Sequence, residues 1–177
     1  MNPISKLFFV ILLTICPHQI LAKEGSDFIV QACDHTLYKA LCIKTLQSDP
    51  ESHAAANIHI LAKVVLKHAA SEANQILDQI TKLHGQTSGQ VIEHGLSDCS
   101  ENYQDAIDQV EDAQLALESN GYDDLNTWIT AAMSDADSCE QGFNDQPGHK
   151  SPITDLNNTF SQLCSIVLAL TNQLREH

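Results

Sequence analysis

The sequence predicts an all-α protein, an up-and-down four-helix bundle preceded by a disulfide-stapled N-terminal helical hairpin. Four long segments carry apolar residues at alternating steps of three and four, which is the spacing of one helix face. The breaks between these segments are short, and short connections make neighbouring helices antiparallel. No segment alternates polar and apolar residues with the period of two that marks a strand.

Residues 1–22 have the features of a secretory signal peptide. Lys6 gives a short positive start, the apolar run from Leu7 to Ile15 follows, and Leu21-Ala22 places a small residue at the cleavage point. The apolar run is too short to span a bilayer, and no later run approaches 18 apolar residues. We therefore expect the protein to be secreted, without a membrane partner.

The chain is strongly acidic. The full sequence has 9 Lys and Arg against 23 Asp and Glu, a net charge of −14. Loss of residues 1–22 removes one lysine and no acid, so the mature chain has 8 basic and 23 acidic residues and a charge of −15. That charge argues against binding to nucleic acid or to anionic lipid. The 155 residues that remain (177 − 22) are enough for one domain with a single core.

Five of the six cysteines lie after the signal segment, and in an oxidising compartment five cysteines imply two disulfides and one free thiol. Cys33 and Cys42 are close in sequence and form the first expected pair. Cys99 and Cys139 lie on the apolar faces of consecutive predicted helices, which makes a second bridge geometrically natural. Cys164 is then left as an inert, buried free thiol.

Residues 23–51 form the predicted N-terminal hairpin. Its two short helices run from Ser26 to Cys33 and from Tyr38 to Gln47, and Pro50 ends the second because proline cannot continue a helix. This hairpin has too little apolar surface to hold itself together. A Cys33–Cys42 bridge closes a loop of about ten residues, which stabilises it by about 2.7 kcal/mol.

Residues 52–177 form the predicted four-helix bundle. Gly85 ends its first helix, residues 144–148 break the chain after the third, and Pro152 suits the first turn of the fourth. In order, the four helices run from about Ser52 to His84, from Ser88-Gly89 to near Ser119-Asn120-Gly121, across Leu125 to Phe143, and from Pro152 to Leu174.

The second bundle helix carries an acidic row, which we define as Asp98, Glu101, Asp105, Asp108 and Asp112. Steps of 3, 4, 3 and 4 stack these residues on one side of the helix, about 200° from its apolar row. No lysine or arginine occurs from residue 83 to residue 149. The like charges therefore repel by a few tenths of a kcal/mol per pair without local relief. Such a face serves either solubility or a basic partner.

The sequence contains no recognisable catalytic pattern, so we expect a protein that is not an enzyme and needs no cofactor. Gly-x-Ser-x-Gly, His-Glu-x-x-His, Glu-x-x-His and a glycine-rich phosphate loop are all missing from it. No zinc spacing involves the cysteines, and we expect no metal site. Asn157-Asn158-Thr159 is a candidate N-glycosylation sequon on the fourth bundle helix.

These features resemble the plant invertase and pectin methylesterase inhibitors. The resemblance rests on the signal peptide, on the hairpin motif Leu41-Cys42-x3-Leu46-x2-Asp49-Pro50, and on the Cys99 and Cys139 pair, and it covers essentially the whole mature chain. It implies a protein of the cell wall or apoplast that is monomeric alone. It also implies inhibition of pectin methylesterase in a 1:1 complex, in which the second and third bundle helices cover the active-site cleft.

The resemblance further implies which residues bind the enzyme. The segment from Cys99 to Asp108 is similar to the helix that pectin methylesterase inhibitors lay against their target, so Glu101, Asp105 and Asp108 are candidate contacts. A hydroxyl residue before the second cysteine of the pair, usually threonine, is Ser138 here. A family acid two residues after that cysteine is replaced by Gln141, which removes one charged contact.

Two other functions remain open from the sequence. One is inhibition of cell-wall or vacuolar acid invertase, and the other is a structural or storage bundle whose acidity serves solubility alone. Invertase inhibitors typically carry Pro-Lys-Phe at the start of the third bundle helix. This chain has Tyr122-Asp123-Asp124 there, with an acid in place of the lysine, which argues against invertase as the target.

Overall fold

The computed structural model describes residues 25–86, 89–144 and 150–175, and the predicted signal peptide lies outside them. These residues form helices and no strand, which confirms the all-α prediction. No helix among them is long and apolar enough to cross a membrane. In chain order the helices are α1 (25–33), α2 (Lys39–Ser48), α3 (Pro50–His53), α4 (Ile58–His84), α5 (Gln90–Glu118), α6 (Tyr122–Asn144) and α7 (Thr154–Arg175).

Helices α4 to α7 form the predicted up-and-down bundle. Each packs against two others, in the cyclic order α4, α5, α6, α7 and back to α4, and α5 and α6 share the largest interface. The apolar rows face inward and form one continuous core. Its fully buried members include Leu61, Ile76, Val110, Ile129 and Leu170.

The start of the first bundle helix differs from the prediction. We expected it near Ser52, but Pro50–His53 form a separate single turn and α4 begins at Ile58. The cause is Asn57, which has extended backbone geometry and whose side-chain oxygen accepts a hydrogen bond of 3.1 Å from the Ile60 backbone N–H. Such a cap satisfies one of the N–H groups that a helix start leaves free.

The N-terminal hairpin, α1 and α2, docks on α4 and α7. A disulfide joins Cys33 to Cys42 with a Cα–Cα distance of 5.8 Å, and both residues are fully buried. Gln173 in α7 donates a 3.1 Å hydrogen bond to the Ala32 carbonyl. At the end of α2, the Asp49 carboxylate accepts from the Glu51 N–H, which lowers the pKa of Asp49, and pairs with Lys67 Nζ at 3.1 Å.

The candidate glycosylation site is part of the core, which corrects that prediction. Asn157 is only 3% exposed, and its side-chain oxygen accepts a 2.6 Å hydrogen bond from the Tyr103 hydroxyl. The Tyr103 ring also packs edge-on against Phe160, with ring centroids 5.6 Å apart. A glycan on Asn157 would occupy this space, so it is incompatible with the folded chain.

Candidate partner-binding face

Helix α5 presents the acidic row to solvent. Its opposite side carries fully buried residues, among them Leu96, Cys99, Tyr103 and Val110, and this burial fixes the rotation of the helix. All five members of the acidic row are exposed. The ion pairs within the described residues lie elsewhere: Lys39–Asp34, Lys63–Glu51, Lys67–Asp49 and Arg175–Asp123. The acidic row therefore carries unneutralised charge over about 21 Å of helix.

A disulfide and close packing hold α5 and α6 together. Cys99 and Cys139 are bridged with a Cα–Cα distance of 4.5 Å. Gly95 in α5 lies directly against the Phe143 ring of α6, since a side chain at position 95 would place its first carbon only 2.8 Å from that ring. The two helices thus form one rigid surface.

Ser138 lies on the side of α6 that borders the acidic row. Positions 135, 138 and 142 share one side of α6 because their spacing is 3 and 4. Gly142 lines a groove together with Asp98. Asp135 lies close enough to Asp105 for the negative charge of Asp105 to raise its pKa. Ser138 falls between these two contacts and is exposed. Its hydroxyl donates to the Ser134 carbonyl at 2.8 Å, so its lone pairs are available to accept a hydrogen bond.

The four candidate contact residues, Glu101, Asp105, Asp108 and Ser138, are thus all exposed on one α5–α6 face. Their contact with a partner stays a prediction. Gln141 is exposed on α6, three residues after Ser138. The segment Tyr122-Asp123-Asp124 begins α6 at the far end from Ser138, and Arg175 pairs with Asp123 at 2.6 Å.

Asp135 also belongs to this face, although no pattern in the sequence singled it out. Burial raises the pKa of Asp135, and the nearby Asp105 charge raises it further, whereas a hydrogen bond from Gln109 opposes the shift. Gln109 Oε1 and Asp135 Oδ2 are buried without a hydrogen-bond partner. The spacing from Asp135 to Ser138 places both residues on the same side of α6, but the position of Asp135 beside the acidic row depends on how α6 packs against α5.

The exposed groups of this face are hydrogen-bond acceptors and negative charges, which suit recognition of a basic surface. Among the described residues no cluster of His, Cys, Asp and Glu could hold a metal ion. Cys164 is fully buried in α7, and burial raises the pKa of its thiol. It therefore stays protonated and unreactive, because the thiolate is the nucleophilic form.

Comparison with known proteins identifies the family. The sequence pattern of the plant invertase/pectin methylesterase inhibitor family matches residues 27–170. A pectinesterase inhibitor of Actinidia deliciosa is 29% identical over 171 residues, covering 97% of this chain and 92% of the relative. A Platanus orientalis protein provisionally named an invertase inhibitor is 32% identical over 133 residues, covering 75% of this chain and 78% of the relative.

Solved structures give the same answer. A mutant form of an Arabidopsis pectin methylesterase inhibitor superposes with a TM-score of 0.69 at 27% identity, covering 79% of this chain and 92% of the other. An Arabidopsis thaliana pectin methylesterase inhibitor superposes with a TM-score of 0.64 at 26% identity, covering 84% and 96%. The family's name is that of inhibitors and not of enzymes. The bundle, its hairpin and the sequence match agree, and the chain belongs to the plant invertase/pectin methylesterase inhibitor family.

Proposed function

We propose that this protein is a secreted inhibitor of pectin methylesterase and blocks the enzyme's active-site cleft with the α5–α6 face. The observation that carries the proposal is the exposed acidic row, which has no ion-pair partner among the described residues. Relatives and solved structures named as pectinesterase inhibitors support the same target.

The chemistry of the target explains why an acidic face would bind it. De-esterified pectin is a polyanion, so an esterase that acts on it is expected to carry cations around its cleft. An acidic helix face is attracted to such a surface, which raises the association rate and helps to fix the orientation of the complex. Inhibition then needs no catalytic group on this chain, because covering the cleft excludes the substrate.

The stoichiometry and location follow from the same proposal. One α5–α6 face on one monomer covers one cleft, which gives a 1:1 complex. The two disulfides suit an oxidising, extracellular compartment such as the apoplast, and the predicted signal peptide would deliver the chain there.

Inhibition of an acid invertase is the second candidate, favoured by the similarity to the Platanus protein. Against it stands the start of α6, where Asp123 and Asp124 replace the lysine region that invertase inhibitors typically carry. The change from lysine to an acid removes a positive charge from that position, and Asp123 is paired with Arg175 within this chain, so a surface that attracts the lysine loses that contact.

Two assays with the purified mature protein decide among the functions. We expect pectin methylesterase activity to fall as the protein is added in rising amounts, with a break near one inhibitor per enzyme. Acid invertase activity is expected to stay unchanged. If only invertase activity falls, the protein is an invertase inhibitor. If neither activity falls, the remaining function is that of a structural or storage bundle.

A further inference from the structure

The exposed large apolar side chains are distributed unevenly over the bundle. Among the described residues, the exposed large apolar side chains are Leu37, Tyr38, Val91, Leu115 and Trp128. The first two lie in the loop between α1 and α2, whereas the other three lie on α5 and α6. None lies on α4 or α7, although these helices are as long.

The acidic row continues into two of these apolar residues. The alternating steps of 3 and 4 that relate the acidic residues continue beyond both ends of the row. They lead to His94 and then Val91 before Asp98, and to Leu115 after Asp112. Val91 and Leu115 are separated by 24 residues, or about 36 Å along the helix axis. Leu115 is 64% exposed, so it faces outward. The outward side of α5 therefore carries one exposed apolar side chain beyond each end of the acidic row.

Trp128 lies at the same end as Leu115, on the side of α6 that borders α5. Positions 128, 131, 135 and 138 share that side, since their spacing is 3, 4 and 3. The Cys99–Cys139 bridge sets the antiparallel register, so moving back eleven residues on α6 to Trp128 moves forward eleven on α5, to Val110. Leu115 lies five residues further, or about 7.5 Å along the helix axis. Trp128 is 38% exposed.

We propose that Leu115 and Trp128 form an apolar anchor that packs against a nonpolar surface at the rim of the esterase cleft, beside the cations that meet the acidic row. This inference rests on the proposed function. A cleft that holds a polysaccharide presents aliphatic and aromatic surfaces to the sugar rings in addition to its charged groups. Tryptophan in a desolvated contact is among the residues that contribute most to binding between proteins.

A second copy of this chain fits the anchor poorly. Pairing two α5–α6 faces would bring two acidic rows together, and like charges across an interface oppose association. Two side chains also offer far less than the roughly 800 Å² per partner that a stable interface buries. A cationic partner would attract the acidic row instead of repelling it. Contacts along that row would then add the interface area that the two apolar side chains do not provide.

Trp128 is the only tryptophan of the chain, which makes a selective experiment available. Biosynthetic labelling with 5-fluorotryptophan gives the inhibitor a single ¹⁹F resonance, whereas unlabelled pectin methylesterase contributes none. We expect the chemical shift of that resonance to change when the enzyme is added at one equivalent, whereas line broadening alone accompanies any binding because the complex tumbles more slowly. The variant Trp128→Ala should raise the inhibition constant roughly tenfold or more. Leu37→Ala, at an 89% exposed apolar side chain of the hairpin loop, is the matched control and should change it less than about twofold.

The dependence of inhibition on salt distinguishes the contribution of the anchor from that of the acidic row. The ratio of the Trp128→Ala and wild-type inhibition constants should be the same at low and at physiological ionic strength, because an apolar contact is not screened. If the wild type inhibits while its ¹⁹F resonance broadens without any change in chemical shift, the anchor is overturned and the proposed function stands. If Trp128→Ala is too unstable to assay, the ¹⁹F experiment on the wild type decides alone. A wild type that does not inhibit the esterase overturns both.

Discussion

Gly95 in α5 lies against the ring of Phe143 in α6, and a β-carbon at position 95 would sit 2.8 Å from Cε1 and 2.9 Å from Cζ. Phe143 is only 1% exposed, so its ring has little room to move. We expect Gly95→Ala to destabilise the protein even though alanine favours the helix by about 1 kcal/mol over glycine. Urea unfolding measures the change.

Gly142 provides the matched control in the same α5–α6 seam. A β-carbon there would meet nothing within 4 Å, and the residue lies inside α6. Gly142→Ala should therefore stabilise the fold by up to about 1 kcal/mol. If both substitutions stabilise, α5 does not approach Phe143 as closely as described.

The acidic row makes a prediction about binding rate. Replacing Glu101, Asp105 and Asp108 by their amides should weaken inhibition of pectin methylesterase, chiefly through slower association. The wild-type association rate should fall as salt rises, because exposed charges are screened beyond about 8–10 Å at physiological ionic strength. Stopped-flow kinetics at two salt concentrations measures both effects.

A control variant with the same change in net charge separates the effect of where the charges lie from the effect of the total charge. Asp27, Asp78 and Asp155 are exposed on α1, α4 and α7, and their triple amide variant also removes three negative charges. It should inhibit nearly as well as the wild type. Equal behaviour of the two triple variants would mean that only the overall charge matters, and the acidic row would then be a solubility feature.

Ser138 and Leu163 should separate binding from stability. Ser138 is exposed, so Ser138→Lys should weaken inhibition by placing a positive charge and a longer side chain beside the acidic row, while the melting temperature changes little. Leu163 is 4% exposed, so Leu163→Ala should lower the free energy of unfolding by about 2–5 kcal/mol. Thermal unfolding paired with the esterase assay tests both, and the opposite pattern would show that the faces of α6 and α7 are misassigned.

Asp135 should make stability depend on pH. Burial raises the pKa of Asp135 above its ordinary value of 3.8, so the folded state holds this proton more tightly than the unfolded state. Its contribution to stability is therefore complete below pH 3.8 and declines as the pH rises through the raised value. We expect Asp135→Asn to gain stability relative to the wild type over that range, as measured by urea unfolding at several pH values.

Gln109 provides the check on this assignment. Its hydrogen bond to Asp135 holds the pKa of that carboxyl down, against the effect of burial. In Gln109→Leu the decline in stability should extend to higher pH than in the wild type. A difference between Asp135→Asn and wild type that is constant with pH would show that Asp135 does not titrate abnormally.

Cys164 should resist modification in the native protein. It is fully buried and its thiol pKa is raised, so little thiolate is present or accessible. We expect no alkylation by iodoacetamide until denaturant is added, after which one equivalent should react. Peptide mapping without reduction should show the Cys33–Cys42 and Cys99–Cys139 crosslinks, and any crosslinked peptide containing Cys164 would contradict the assignment.

The sequence predicted the fold well because the bundle depends on long repeated patterns. Residues such as Val110 and Ile129 recur at helical spacing over many turns, and that spacing specifies which side of each helix is buried. The start of α4 was mispredicted because it depends on one residue. Ala54, Ala55 and Ala56 favour a helix, and this local preference hid the cap formed by Asn57.

The candidate face was only partly predictable. The acidic row was visible because its members lie on one helix, and Ser138 came from the family resemblance. The position of Asp135 beside Asp105 depends on the register of α6 against α5, which spacing within one helix does not specify. Asn157 lies four residues after Ile153 and three before Phe160, so spacing within α7 already places it on the core side. Its hydrogen bond to Tyr103, 54 residues away, is the part that the sequence did not show.

The burial of Cys164 bears on how the chain matures. The ribosome adds about 5–20 residues per second. Cys164 comes 122 residues after Cys42 (164 − 42), so it is synthesised about 6–24 s later. It comes only 25 residues after Cys139, so it is synthesised about 1–5 s later. Disulfide formation takes seconds to hours. Order of synthesis therefore shields the first pair from a competing thiol far better than the second. Docking of α7 buries Cys164, and we expect this burial to protect the Cys99–Cys139 bridge from thiol exchange.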